Sequence, residues 1–177
     1  MLAIPTGMRR GELLGLKWDD VDLKRGVLQI KRSLNPKGRA FNQPKSAKGR
    51  RRIGLTSKAV EALKRHRAVQ NEERLRRGSL WQDHGLVFPS QAGTPMNADN
   101  FVKRSFKPLL KRTGLPQIAF HDLRHTFASL MLLNRERPKV VQEMIGHTQI
   151  STTLDTYSYV LPDMQDEAVK RVGSLFS

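Results

Sequence analysis

"WDDVDLKRGVLQIKRSL", residues 18–34, decides between an all-helical chain and a mixed one. Val21 and Leu23 flank Asp22, Leu28 and Ile30 flank Gln29, and Lys24-Arg25-Gly26 lies between the two groups. A period of two turns alternate side chains to one face, so the stretch reads as two short antiparallel strands around a tight turn. "RRRIGL", residues 50–55, supplies a third strand after a loop rich in Gly, Pro, Lys and Arg.

Outside that sheet the spacing is helical. Thr6 is placed to cap a helix over 8–17, with Leu13, Leu14 and Leu16 as its apolar face. Thr56 or Ser57 starts a long polar helix that Gly78 ends, and Asn97 caps another that runs to Thr113-Gly114. "FHDLRHTFASLMLL", residues 120–133, has apolar residues at helical spacing. Pro138 opens a helix through Met144, Ser151 or Thr152 caps the one bearing Tyr157, and Pro162 starts the last. The expected fold is α+β in a single domain: mainly helical, with a small three-stranded antiparallel sheet at one edge. A chain of 177 residues, 38% hydrophobic, is long enough to bury one core.

Thirty-two Lys and Arg against 16 Asp and Glu leave a net charge of +16, a field that attracts polyanions, nucleic acid above all. The excess is concentrated: Lys31 to Arg77 holds 16 basic residues against Glu61, Glu72 and Glu73. "KRHRAVQNEERLRRG" reads as a solvated helix face with i,i+4 ion pairs. "NPKGRAFNQPKSAKGRRR", residues 35–52, contains no acid and reads instead as a phosphate-contacting hairpin, with Lys48, Arg50, Arg51 and Arg52 as DNA-binding candidates.

No apolar run approaches the roughly 18 residues that span a bilayer, and the N-terminus has no signal-peptide pattern. The chain has no cysteine, which excludes disulfides, thiolate metal sites and cysteine nucleophiles. A soluble, cytoplasmic protein is expected. His121 and His125 share the i,i+4 spacing of a zinc motif, but Asp122 stands where that motif has Glu, and no metal site is expected. His66 and His84 carry no motif and read as solvated, His125 as structural or supporting, and Trp18 and Trp81 as packing residues.

The chain's only two tyrosines, Tyr157 and Tyr159, fall in "MIGHTQISTTLDTYSYV", residues 144–160. Together with "TGMRRGELLGLKWDDVDL" at 6–23 and "HDLRHTFAS" at 121–129, this box resembles, in order and spacing, the three motifs of the tyrosine recombinase (phage integrase) family. The resemblance covers essentially the whole chain. It implies that Arg9 and Arg124 are the catalytic arginines, His121 and His147 the active-site histidines and Tyr157 the nucleophile. The family's hairpin lysine falls on Lys45, with Lys48 as the alternative, and Glu12 becomes the acid that orients Arg9. Tyr159 stands where many relatives have histidine and reads as a packing or phosphate-bonding residue.

The implied activity is site-specific DNA cleavage and rejoining through a 3′-phosphotyrosyl bond, without cofactor. Type IB topoisomerase-like relaxation and a non-catalytic DNA-binding remnant are the alternatives. Chemistry agrees with this cast. Two guanidiniums match the non-bridging oxygens of a pentavalent phosphorus. A phenol with a pKa of about 10 needs a base or a cationic pocket, for which His121 is the expected proton acceptor. Lys45 or His147 is expected to protonate the leaving 5′ oxygen.

The partner expected is double-stranded DNA. Met164, Ala168, Val172 and Leu175 or Phe176 make an apolar stripe near the C-terminus. It packs either on its own domain or on a neighbour in a recombining homo-tetramer, the isolated chain then being a monomer. The first arginine box begins within six residues of Met1. The chain is therefore expected to be the catalytic domain, residues 1–177, without the family's N-terminal core-binding domain.

Overall fold

The structure is a computed structural model that describes residues 2–37, 40–43, 49–147, 149–157, 169–170 and 172–174. Lys45, Lys48, Tyr159 and most of the expected last helix lie outside the described residues.

The expected helix over 8–17 is shortened to α2 (Arg10–Leu14), and a further short helix, α1 (Ala3–Thr6), precedes it. Thr6 does not cap: its hydroxyl bonds back to the Leu2 carbonyl at 2.5 Å, and Gly7, left-handed at φ 58°, ends α1. A Cβ on Gly7 would collide with the Phe127 ring, so this glycine also lets two segments approach closely. The N-cap of α2 is Arg9, whose backbone N–H donates to Glu12 Oε2 at 2.9 Å.

Strands β1 (Val21–Asp22) and β2 (Val27–Gln29) form the expected hairpin. A two-stranded ribbon that the sequence reading did not foresee follows, β3 (Ser33–Leu34) against β4 (Phe41–Asn42). Strand β5 (Arg52–Gly54) then pairs with β2, giving the antiparallel order β1-β2-β5 with Leu28 opposite Ile53. Both side chains are buried, and Arg52 points the other way, to solvent.

Helix α3 (Ser57–Arg77) is capped by the Thr56 hydroxyl, which accepts from the Ala59 N–H, and stops at Gly78. Asn97 caps α4 (Ala98–Phe101), and a π-turn over Val102–Phe106 leads into α5 (Lys107–Arg112). Next come α6 (Asp122–Leu133), α7 (Pro138–Ile145) and α8 (Ile150–Thr156). Helix α8 begins before Ser151, with Gln149 at its N-cap and no side-chain cap, so Tyr157 sits just past its C-terminal end.

One core gathers Met8, Leu13, Leu28, Ile53, Leu63, Val87, Phe106 and Phe120 from the sheet, α2, α3 and the π-turn. A second packs Phe127, Leu132, Val141 and Ile145 around Tyr157. The seam between the two cores brings α2, the end of β5, α6 and the α7–α8 turn together. His66 departs from its solvated reading: its Nε2 lies 2.6 Å from the Val87 carbonyl, and its ring stacks on Phe88.

Candidate active site

Arg9 enters the seam from the N-cap of α2. Its Nη1 donates to Glu12 Oε1 at 3.0 Å and its Nη2 to the Gly146 carbonyl at 3.1 Å, while 42% of the side chain stays exposed. Arg124 comes from the first turn of α6 and is 2% exposed. Its Nη1 donates to the Gly7 carbonyl at 2.8 Å, and its Nη2 is buried without a partner among the described residues. Burial, then the Arg9 cation, pulls the guanidinium down to about 9, which leaves it charged at neutral pH.

Each arginine is thus docked on the carbonyl of a left-handed glycine that ends a helix, Gly7 after α1 and Gly146 after α7. Gly146 is needed twice over. Its φ is 68°, and a Cβ there would lie 2.9 Å from Arg51 Nη1.

Arg51 was expected on DNA, and the structure turns it inward. Two residues before Ile53, it falls on the same face of the strand, while its neighbours Arg50 and Arg52 face solvent. Its Nη1 and Nη2 donate to the two Glu12 oxygens at 3.0 and 2.8 Å, and its Nε to the Met144 carbonyl at 2.7 Å. Burial alone would raise the Glu12 pKa, but the bonds and charge of Arg51, then those of Arg9, outweigh it and hold the group below its ordinary value. Glu12 therefore accepts bonds from both Arg9 and Arg51, and Arg51 in turn ties Glu12 to the turn that carries His147.

The remaining groups surround this cluster. Tyr157 is 1% exposed, with its hydroxyl 3.0 Å from His125 Nδ1. His121, at the N-cap of α6, meets His125 edge-on with ring centroids 4.8 Å apart. Desolvation first, then His125, Arg124 and Arg9, lowers its pKa and keeps it neutral. His147 Nδ1 lies 3.0 Å from the hydroxyl of buried Thr153. Desolvation and the Arg124 and Arg9 cations push His147 down to about 4.

Five of the expected site residues, Arg9, Glu12, His121, Arg124 and His147, thus converge with Tyr157. The sequence reading had given His125 only a structural or supporting role, overlooked Thr153 and misdirected Arg51. The tyrosine partner of His125 becomes visible only when the end of α8 reaches α6, and the histidine partner of Thr153 only when α8 folds back on the turn after α7.

Comparison with known proteins bears on what this constellation is. The phage integrase family model matches residues 1–163. The chain belongs to the phage integrase family. Among relatives, a tyrosine recombinase XerC-like protein of Caldanaerobacter subterraneus subsp. tengcongensis is 35% identical over 190 residues, covering 99% of this chain and 48% of that protein. An integrase of Streptomyces ambofaciens is 33% identical over 183 residues, covering 98% of this chain and 47% of that one. The chain spans about half the length of these integrase relatives. Among solved structures, the Tn1549 transposon integrase in complex with circular intermediate DNA superposes with a TM-score of 0.76 at 25% identity, over 97% of this chain and 57% of that one. The integrase fold, helices with a small antiparallel sheet, is therefore established.

Proposed function

We propose that the chain is the catalytic part of a site-specific DNA recombinase that cleaves and rejoins DNA through a 3′-phosphotyrosyl intermediate on Tyr157. One observation carries the reading. Among the described residues, three guanidiniums, those of Arg9, Arg51 and Arg124, surround the carboxylate of Glu12, leaving a surplus of two positive charges beside a tyrosine hydroxyl. A phosphodiester under attack gains a second negative charge, so that surplus matches the transition state better than the ground state. Arg124 Nη2, buried with no partner among the described residues, is a donor for one non-bridging oxygen, and half-exposed Arg9 serves the other.

In the proposed step the Tyr157 oxygen bonds to phosphorus, the bond from phosphorus to the 5′ oxygen breaks, and the leaving oxygen takes a proton. His147 is a weak base at this site, and a group displaced so far down gives up a proton readily once protonated. Lys45 shares this proposed role. Exposed Arg50 and Arg52, with Lys48, fit phosphates flanking the scissile one. A tetramer joined through the C-terminal segment belongs to the same proposal.

The test is covalent trapping. Nicked suicide duplexes tiled across the DNA that flanks the gene are incubated with wild type and Tyr157→Phe. A protein–DNA adduct from wild type, lost in the variant, is expected. An adduct that survives Tyr157→Phe sinks the assignment, and salt-dependent binding without any adduct from wild type marks a DNA-binding remnant.

A further inference from the structure

The geometry points to His125 as the residue that takes the phenolic proton from Tyr157. This rests on the recombinase reading above and replaces His121 in the role expected of it from the sequence. Tyr157 is 1% exposed, so bulk water does not reach its hydroxyl and the acceptor must be a protein atom in contact with it. His125 Nδ1 is such an atom, at 3.0 Å, within the range over which a general base works. With its proton on Nε2, neutral imidazole presents the Nδ1 lone pair to the hydroxyl.

The step balances. As the Tyr157 oxygen bonds to phosphorus, its proton passes to His125 Nδ1, and the leaving 5′ oxygen is protonated by the separate donor proposed above. His121 then has a distinct place. It is exposed at the N-cap and meets the half-buried His125 ring edge-on. Among the described residues His125 faces His121 across an edge-on ring contact, Tyr157 through the hydroxyl and the more distant His147, while Arg124 and Asp122 lie beside it on α6. Asp122 uses its carboxylate on the Ala119 N–H, and no ion pair to His125 is formed among the described residues.

The experiment uses the scarcity of tyrosine. In a Tyr159→Phe chain Tyr157 is the only tyrosine, and its ionisation can be followed by tyrosinate absorbance without DNA. When the phenol ionises, His125 can donate from Nδ1 in its other tautomer, and a bond to a charged acceptor is the stronger of the two. His125→Phe in that background is therefore expected to raise the midpoint by about one pH unit. His125→Asn, whose amide can donate to the phenolate but cannot carry the proton away, is expected to restore the midpoint yet cleave suicide DNA about 100-fold more slowly at unchanged DNA affinity. Added imidazole should recover part of the His125→Ala rate. An unshifted midpoint in His125→Phe, or full cleavage by His125→Asn, would overturn the proposal. Because the titration needs no DNA, it tests the His125 contact even where wild type forms no adduct, which would instead refute the recombinase reading.

Discussion

Arg51→Met removes a charge from the least exposed ion pair described in the molecule, and its consequences can be worked out in advance. Arg51 and Glu12 are 7% and 6% exposed at the side chain, and three bonds from one guanidinium join Glu12 to the Met144 carbonyl. Methionine fills similar length but leaves Glu12 with only the half-exposed Arg9 as counter-ion. Breaking a buried pair on one side costs about 3–5 kcal/mol. For a chain of this size that is roughly 6–20 °C in Tm.

The pH dependence follows from the sign of the Glu12 shift. In wild type Glu12 is held below its ordinary 4.5, so its contribution is present above that value and lost as pH falls through the lower folded one. In Arg51→Met burial acts unopposed by Arg51 and raises Glu12, which then prefers to fold protonated. The gap between variant and wild type should be widest at pH 7 and shrink toward pH 4. Urea unfolding followed by the fluorescence of Trp18 and Trp81 measures it, with exposed Arg52→Met, expected within about 0.5 kcal/mol of wild type, as control. A gap under 1 kcal/mol, or one that does not change with pH, would refute the argument that Arg51 is a buried tie and return it to the DNA-facing set.

Gly146→Ala should destabilise by about 1–3 kcal/mol in thermal melts, because alanine must adopt a φ of 68° against an Arg51 that three bonds hold in place. Thr153→Val keeps the shape of a buried side chain but removes the hydroxyl beside His147 Nδ1, so cleavage should slow about tenfold with DNA affinity unchanged, checked by single-turnover adduct formation. Wild type should lose stability as pH falls from about 6.5 toward 4, since His147 takes up a proton more readily unfolded than folded. His147→Gln should flatten that part of the urea-unfolding profile.

Local chemistry made much of this legible from sequence. Thr56 and Gly78 bracket α3 because a hydroxyl caps and a glycine stops a helix wherever they occur, and the alternation around Lys24-Arg25-Gly26 needs only its own residues to become a hairpin. Arg9, Arg124 and Tyr157 were readable because their boxes resemble a family. What escaped depends on contacts distant in the chain. Gly7 ends a short helix the sequence did not announce so that Phe127, 120 positions away, can pack against it, and Arg51 turns inward because a carboxylate at position 12 and a carbonyl at 144 wait there. His125 looked like a bystander beside Arg124 until α8 delivered a hydroxyl to it.

The two glycine carbonyls that dock the arginines have a consequence for how this centre answers to its surroundings. Arg124 is held through Gly7 by main chain alone, and a carbonyl steadies a cation without cancelling its charge or titrating. Its grip is therefore indifferent to acidity, whereas His147 and Glu12 respond to it. On the proposed reading the centre divides into a part that keeps its positive charge through the acid range and a part that takes up protons there, and acid would silence the second while the first could still hold a phosphate.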